Sequence, residues 1–284
     1  MGRALVSFLS DYGHEDEFVG VCHGVIARRC PDARIIDITH EIPRGDIRLG
    51  ALVLADALPY MPSGVHLAVV DPGVGALDGR AAVAVRAAEH GRILVGPDNG
   101  LLMIAARRLG GALEAVEISD SPERLQPVSQ TFHGRDIFAP VAAALAAGAS
   151  LAEVGAPIDA TELRRIQLPA ASVGDGALTA HVLRTDRFGN LTLDASGAEL
   201  ASALGTVQRD LIVEAAGKAF AARRAGTFSD VPAGELVVYE DSNRMAAIAV
   251  NLGSAAELLG IATDQQLRVL AAGAAAGAAE GAAA

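Results

Sequence analysis

The residues best suited to chemistry are a His, an Arg and an Asp among apolar neighbours in Thr131-Phe132-His133-Gly134-Arg135-Asp136-Ile137-Phe138-Ala139-Pro140, just ahead of an alanine-rich helical run. Ionisable groups are costly to bury unless they are paired or used. A second segment, Val69-Val70-Asp71-Pro72-Gly73-Val74-Gly75, ends an apolar run on one carboxylate and then breaks the chain with Pro and Gly. Arg80 opens the next apolar run. A carboxylate, a guanidinium and an imidazole suffice to accept a proton and steady a developing anion. Each also has an ordinary explanation. His133 alone reads as a satisfied core histidine, Asp71 as a turn former and Arg80 as a solvated residue at a strand start. Their company gives them weight.

Three further segments pose the same choice. Ser10-Asp11-Tyr12-Gly13-His14-Glu15-Asp16 follows the first apolar strand and precedes a helix. Asp11 there can accept from both hydroxyls of a ribose, or the segment is a helix start whose acidic residues favour the dipole. A metal site is the third option, since His and carboxylates gather there. No HExxH or matching His pair supports it elsewhere, and the expectation is no metal and no cofactor. Thr185-Asp186-Arg187-Phe188-Gly189-Asn190 and Tyr239-Glu240-Asp241-Ser242-Asn243-Arg244 have the composition of hairpin turns, and turns are the favoured local reading for both. Gly73, Gly75 and Gly79 miss the dinucleotide fingerprint by one residue, and there is neither a P-loop nor a GxSxG elbow.

The elements that must position these residues follow from periodicity. Ala4–Leu9, Arg34–Ile38, Val65–Val70, Ala81–Arg86, Ile93–Val95 and Leu113–Ile118 read as strands. Phe18–Arg29, Asp46–Leu58, Leu101–Leu109 and Ile137–Ala147 read as helices. This alternation predicts an α/β domain over residues 1–168 with a mostly parallel sheet covered by helices. Ligands bind such sheets at the carboxyl ends of strands, and Asp11, Asp71 and Asp98 all stand just past apolar strands. From about Pro169 the pattern changes. Ala177–Arg184, Leu211–Ala215, Lys218–Arg223, Leu236–Tyr239 and Ala247–Val250 are strand-like, with a brief helix at Ala195–Leu204. This predicts a smaller antiparallel β domain, a barrel or sandwich, over residues 175–270. Residues 271–284 are nearly all Ala and Gly and read as a disordered tail.

Composition narrows the function classes. The formal net charge of −11 disfavours nucleic acid as a partner. No apolar run is long enough to span a bilayer, and the start lacks a signal-peptide pattern. Two cysteines in no metal-like spacing suit a reducing compartment, and the expected location is cytoplasmic.

Taken together, these ordered segments resemble the S-adenosylmethionine hydrolase (adenosine-forming) family, the S-adenosylmethionine hydroxide adenosyltransferases, relatives of fluorinase and chlorinase. The similarity runs from the first strand to about Gly260. Besides Ser10–Gly13, Val70–Gly75, Thr131–Asp136 and Asp186–Asn190, it includes Gly96-Pro97-Asp98-Asn99-Gly100-Leu101 and Ile248-Ala249-Val250-Asn251. The resemblance implies an N-terminal α/β domain and a C-terminal antiparallel β-barrel. It implies S-adenosyl-L-methionine (SAM) as substrate, no added cofactor, and a homotrimer with sites between the N-domain of one subunit and the C-domain of the next. It assigns Asp71, Arg80 and His133 to the attacking water and Asp11 to the ribose diol. Phe132 lies by the ligand, Asp186 and Ser242 face the methionine end, Asn190 lies on the adenosine side, and Asn243 joins Ser242 as a substrate contact. Related sequences often carry a small residue where this chain has Asn243-Arg244. The fluorinase has Tyr in place of Asp71, and Ser in place of Gly134 that helps to hold fluoride; this chain keeps the hydrolase pattern. The competing readings are a SAM-dependent halogenase, a non-catalytic SAM or adenosine sensor, and a metal phosphohydrolase.

Overall fold

Apolar strands alternate with helices over the first half of the chain, and the chemistry of each strand end follows from where the sheet puts it. The computed structural model describes residues 4–75 and 79–272. The chain divides into two units, residues 1–166 and 167–284. In the first, the strands are β1 (Leu5–Ser10), β2 (Arg34–Thr39), β3 (Val65–Val69), β4 (Ala82–Ala87), β5 (Ile93–Pro97), β6 (Ala112–Glu117) and β7 (Ala156–Ile158). The helices are α1 (Phe18–Arg29), α2 (Ile47–Ala57), α3 (Met103–Arg108), α4 (Ala139–Ala146) and the short α5 (Leu151–Val154).

The sheet order is β2-β1-β3-β5-β4-β6-β7. β2, β1, β3 and β5 are mutually parallel, whereas β4 pairs antiparallel with both β5 and β6, and β7 antiparallel with β6. Five of the seven strands therefore run the same way. The core is split by the sheet. Val6, Phe8, Leu67 and Val95 pack with α1 and α4 on one face, while Leu9, Ala68, Val70 and Leu94 pack with α2 and α3 on the other. This two-sided burial explains why these strands read as continuous apolar runs. From β1 the chain goes to β2 on one side and then to β3 on the other. The carboxyl ends of β1 and β3 thus flank a topological switch point, where open α/β sheets bind ligands.

The second unit contains β8 (Ser172–Gly174), β9 (Ala177–Thr185), β10 (Leu191–Ser196), β11 (Asp210–Ala215), β12 (Lys218–Arg224), β13 (Leu236–Glu240), β14 (Met245–Val250) and β15 (Gln266–Ala271), with α6 (Gly197–Leu204) and α7 (Ala255–Leu259). The order β10-β14-β13-β12-β11-β15-β9 closes through a β9–β10 pairing into a seven-stranded barrel, and β8 adds to β9. All its pairings are antiparallel except β12 with β13. Closure removes the exposed edges that an open sheet would leave.

Several boundaries differ from expectation for local reasons. Asp46 is the cap of α2 and accepts from the Leu49 amide at 2.9 Å, so the helix starts one residue later. Ala195 belongs to β10, and the helix begins only after Ser196, which forms a capping box with Glu199. Ile137 and Phe138 lie in a π-helical turn, Gly134–Phe138, that precedes α4. Ala271 ends β15, paired with Leu211, so it is strand and not tail; residues 273–284 lie outside the described residues. No helix among the described residues is long and apolar enough to cross a membrane.

Candidate active site

β1, β3 and β5 lie side by side and parallel, so Asp11, Asp71 and Asp98 emerge at the same edge of the sheet. Their carboxylates do different things. Asp98 accepts from the Arg164 amide at 2.9 Å and anchors the end of the unit. Next to it, Asn99 donates to the Val70 carbonyl at 2.8 Å and fixes the chain just ahead of Asp71. Asp11 accepts from the Gly45 amide at 2.8 Å. Gly45 has φ +73°, and a Cβ there would come within 3.3 Å of Pro72, so this loop ties Asp11 to the residue after Asp71. Burial raises the Asp11 pKa, the Gly45 amide opposes that rise, and the Asp71 charge adds to it.

Asp71, Arg80 and His133 come together. Arg80 Nε donates to Asp71 Oδ1 at 2.8 Å, and its Nη2 donates to Asp71 Oδ2 and to His133 Nδ1, the latter at 3.1 Å. The Arg80 and Asp71 side chains are only 8% and 5% exposed, so this is a buried, bidentate pair. The Arg80 guanidinium lies 5.3 Å from the Phe138 ring centroid. His133 immediately precedes the π-helical turn, a rare geometry found mostly at functional sites.

The hydrogen bonds fix the state of His133. Arginine has no acceptor, so Nδ1 must present a lone pair to it, and the proton of a neutral ring sits on Nε2. Burial and then the Arg80 charge lower the His133 pKa, against smaller pulls from Asp71 and Asp136. The neighbouring Arg135 and Asp136 form a separate pair, with Arg135 Nε 2.6 Å from Asp136 Oδ1 and Nη2 2.8 Å from Oδ2. Asp136 also accepts from the Ser129 amide at 2.8 Å. Burial raises the Asp136 pKa, but the Arg135 and Ser129 bonds outweigh it and the net shift is downward. This pair braces the loop before the π-helical turn.

Phe132 belongs to an aromatic cluster that sequence reasoning did not assemble. Its ring is 5.1 Å from Phe18 and 5.9 Å from Tyr12, both edge-on. With Phe8 and Phe138, five of the ten aromatic residues of the chain surround this one region. The signal was their scarcity and their placement beside Asp11 and His133. Tyr12 also explains Gly134: a Cβ at Gly134 would sit 2.1 Å from the Tyr12 hydroxyl.

In the second unit, Asp186 and Asn190 form the β9–β10 turn, as their local composition predicts. Asp186 Oδ1 accepts from the Phe188 and Asn190 amides at 2.8 and 2.9 Å, and Oδ2 accepts from Asn190 Nδ2 at 2.8 Å. Ser242 and Asn243 sit in the β13–β14 turn, where Asp241 Oδ1 accepts from the Asn243 and Met245 amides at 2.8 and 2.9 Å. Both loops border Tyr239, whose hydroxyl is pushed up to about 12 by burial first and then by the charges of Asp241 and Asp186.

The relationships of the chain agree with this architecture. Residues 6–155 match the SAM hydroxide adenosyltransferase N-terminal domain, and residues 180–268 match its C-terminal domain. The chain belongs to the SAM hydroxide adenosyltransferase family. It is 50% identical to a protein of Salinispora tropica named (R)-S-adenosyl-L-methionine hydrolase, over 94% of this chain and 97% of that one. A fluorinase from an Actinoplanes species is more distant, 28% identical over 88% of this chain and 92% of its own length. Among solved structures, an uncharacterized conserved protein from Thermotoga maritima superposes with a TM-score of 0.86 at 35% identity, covering 93% of this chain and 99% of that one.

Two outcomes test this geometry. Nitrogen NMR of His133 should show a neutral ring with the proton on Nε2 at pH 7.5 and a titration midpoint below 6.5. Because the folded value is depressed, the native state binds fewer protons, and this site's stabilisation is complete above the unfolded value and lost as pH falls through the folded one. A midpoint above 6.5, or a proton on Nδ1, would contradict the Arg80 contact. Gly134→Ser should destabilise by about 1–3 kcal/mol through overpacking, and Tyr12→Phe in the same chain should restore part of it. Unchanged urea midpoints in both would show that Tyr12 does not fill the space at Gly134.

Proposed function

We propose that the protein hydrolyses SAM to adenosine and L-methionine by attack of water on C5′ of the ribose. The observation that carries this reading is the hydrogen-bonded set of Asp71, Arg80 and His133 at the switch point of the sheet, with Asp11 close enough for its charge to act with that of Asp71. The family relationship, with hydrolases nearer than fluorinases, supports the same reading.

The chemistry asks little of the leaving group. As the oxygen–C5′ bond forms, the C5′–sulfur bond breaks and its electron pair returns to the sulfonium, giving a neutral thioether that needs no acid. No carbonyl is involved, so no oxyanion hole is required. The demand falls on the nucleophile. His133 has committed its basic nitrogen to Arg80 and offers Nε2–H as a donor. That supports Asp71 as the acceptor of the water proton, while His133 and Arg80 orient the oxygen and favour its hydroxide-like character. Attack on a cation disperses charge, and apolar walls such as Phe132 and Phe138 favour that dispersal. In-line placement of water, carbon and sulfur contributes about 7–11 kcal/mol in well-oriented systems.

In this reading Asp11 takes the ribose diol, Phe132 the ligand's apolar surface, Asn190 the adenosine side, and Asp186, Ser242 and Asn243 the methionine end. Asp186 accepts three bonds inside its own turn, and a carboxylate has about four acceptor sites, which leaves one for an ammonium group. No cofactor enters the reaction. The assembly is a homotrimer. The location is cytoplasmic, in keeping with Cys22 and Cys30 being free, buried thiols. Against the halogenase reading, Gly134 offers no hydroxyl for a halide, and Tyr12 occupies the space that one would need.

Asp71→Ala, Arg80→Ala and His133→Ala should each lower turnover by about 10²–10⁴-fold while SAM still binds. Incubation with SAM in ¹⁸O-water should place the label in the 5′-hydroxyl of adenosine, and chloride or fluoride should not divert the product. Full turnover in any variant, unlabelled adenosine or a 5′-halogenated product would overturn the mechanism. Sedimentation equilibrium should give three chains per particle; a monomer with full activity would refute the trimer.

A further inference from the structure

Outside the proposed active site, one cluster of side chains has the makings of a metal centre. His23 in α1, Asp37 in β2 and His40 just beyond β2 point at one another. Asp37 Oδ1 is 2.9 Å from His23 Nε2 and 3.0 Å from His40 Nε2. One ligand atom from each of the three lies within 4.8 Å of the others. The two imidazoles approach the same carboxylate oxygen, and only one of them bonds it well. His40 is fully buried, and its Nε2 faces Asp37 Oδ1 at 3.0 Å without good hydrogen-bond geometry. Burying an imidazole nitrogen this way is unfavourable unless something satisfies it.

We propose that His23, Asp37 and His40 bind a zinc-class divalent transition ion. Two imidazoles and one carboxylate are ligands for such ions, whereas calcium and magnesium prefer oxygen alone. Zinc–ligand bonds of about 2.0–2.2 Å put neighbouring ligands of a tetrahedral site about 3.3–3.6 Å apart, so each imidazole–Asp37 separation widens by a few tenths of an ångström as the ion enters. The remaining support is in place. His40 Nδ1 is 2.7 Å from Ser10 Oγ, which fixes the ring and directs Nε2 to the ion, as outer-shell partners do. The His23 and Asp37 side chains are 32% and 37% exposed, which gives an ion a path from solvent. The exposed His14 ring lies 5.2 Å from that of His40, edge-on.

The ion's place in the fold gives it a role. His40 accepts the Gly13 amide at 2.8 Å through its carbonyl and holds Ser10 through its ring. Ser10 and Gly13 bracket Asp11. An ion at this centre therefore clamps the back of the loop that carries Asp11 and stiffens it without touching the reacting carbon.

The test uses tag-free, chelator-treated full-length protein and Zn²⁺ or Co²⁺ alone, with calorimetry and the visible Co²⁺ spectrum as readouts. The expected result is one ion per chain, with a Co²⁺ spectrum of low coordination number. His23→Ala and Asp37→Asn should each weaken binding by about a hundred-fold or more, Ser10→Ala by about tenfold, and His90→Ala, an exposed histidine elsewhere, not at all. His23 and Asp37 are partly exposed, so their variants remain informative should changes at buried His40 disturb folding. No saturable binding, or binding that survives both His23→Ala and Asp37→Asn, would overturn the proposal. Neither result bears on SAM hydrolysis, because no readout depends on turnover.

Discussion

The structure turns on one buried guanidinium. Arg80 reaches Asp71 with two nitrogens and His133 with one of them, and so joins residues that the chain separates widely. Taking two charges out of water costs several kcal/mol per ion, and their attraction often does no more than offset it. A pair of this kind is therefore a poor device for stability alone. What it does supply is definition: the fork of Arg80 sets the plane of the carboxylate, and its donor-only character sets the tautomer of the imidazole.

The fold serves that constraint from several sides. The ends of β1 and β3 bring Asp11 and Asp71 to the switch point. Asn99 holds the Val70 carbonyl, and the Gly45 loop bridges Asp11 to Pro72. The π-helical turn ahead of α4 carries His133 to Arg80, and the Arg135–Asp136 pair braces the loop that enters it. Each support is a short-range bond to backbone or to a neighbour, so the geometry is determined locally once the parallel strands are in register.

How much of this was legible depends on the kind of signal. Phe18–Arg29 matches α1 residue for residue because its apolar period and flanking Pro31 agree. The chemical residues were legible by type, since a His, an Arg and several Asp residues stood at the ends of apolar runs. Partnerships were less legible. Arg135 and Asp136 sit in the same segment as His133, yet they pair with each other, and no spacing rule separates them from Arg80 and Asp71. The π-helical turn left no trace in periodicity. β10 did: Leu191, Leu193 and Ala195 alternate inward, but the capping box that follows drew the helix boundary back by two residues. The His23–Asp37–His40 cluster spans a helix, a strand and a loop, and only the packing of α1 on the sheet edge brings it together.

The second unit shows why the turn reading and the functional reading of a polar loop need not compete. Asp186 and Asp241 each open a hairpin and bind its amides with their own carboxylates. Such a turn is fully formed before any ligand arrives, so its residues give up little further entropy on binding. A carboxylate that has spent most of its acceptor sites on its own loop is also fixed in direction. It can meet a single well-placed ammonium group but cannot swing to follow a different one. The composition that makes a segment a good turn is thereby the composition that makes it a rigid contact, and the choice between the two readings rests on what faces the last free lone pair.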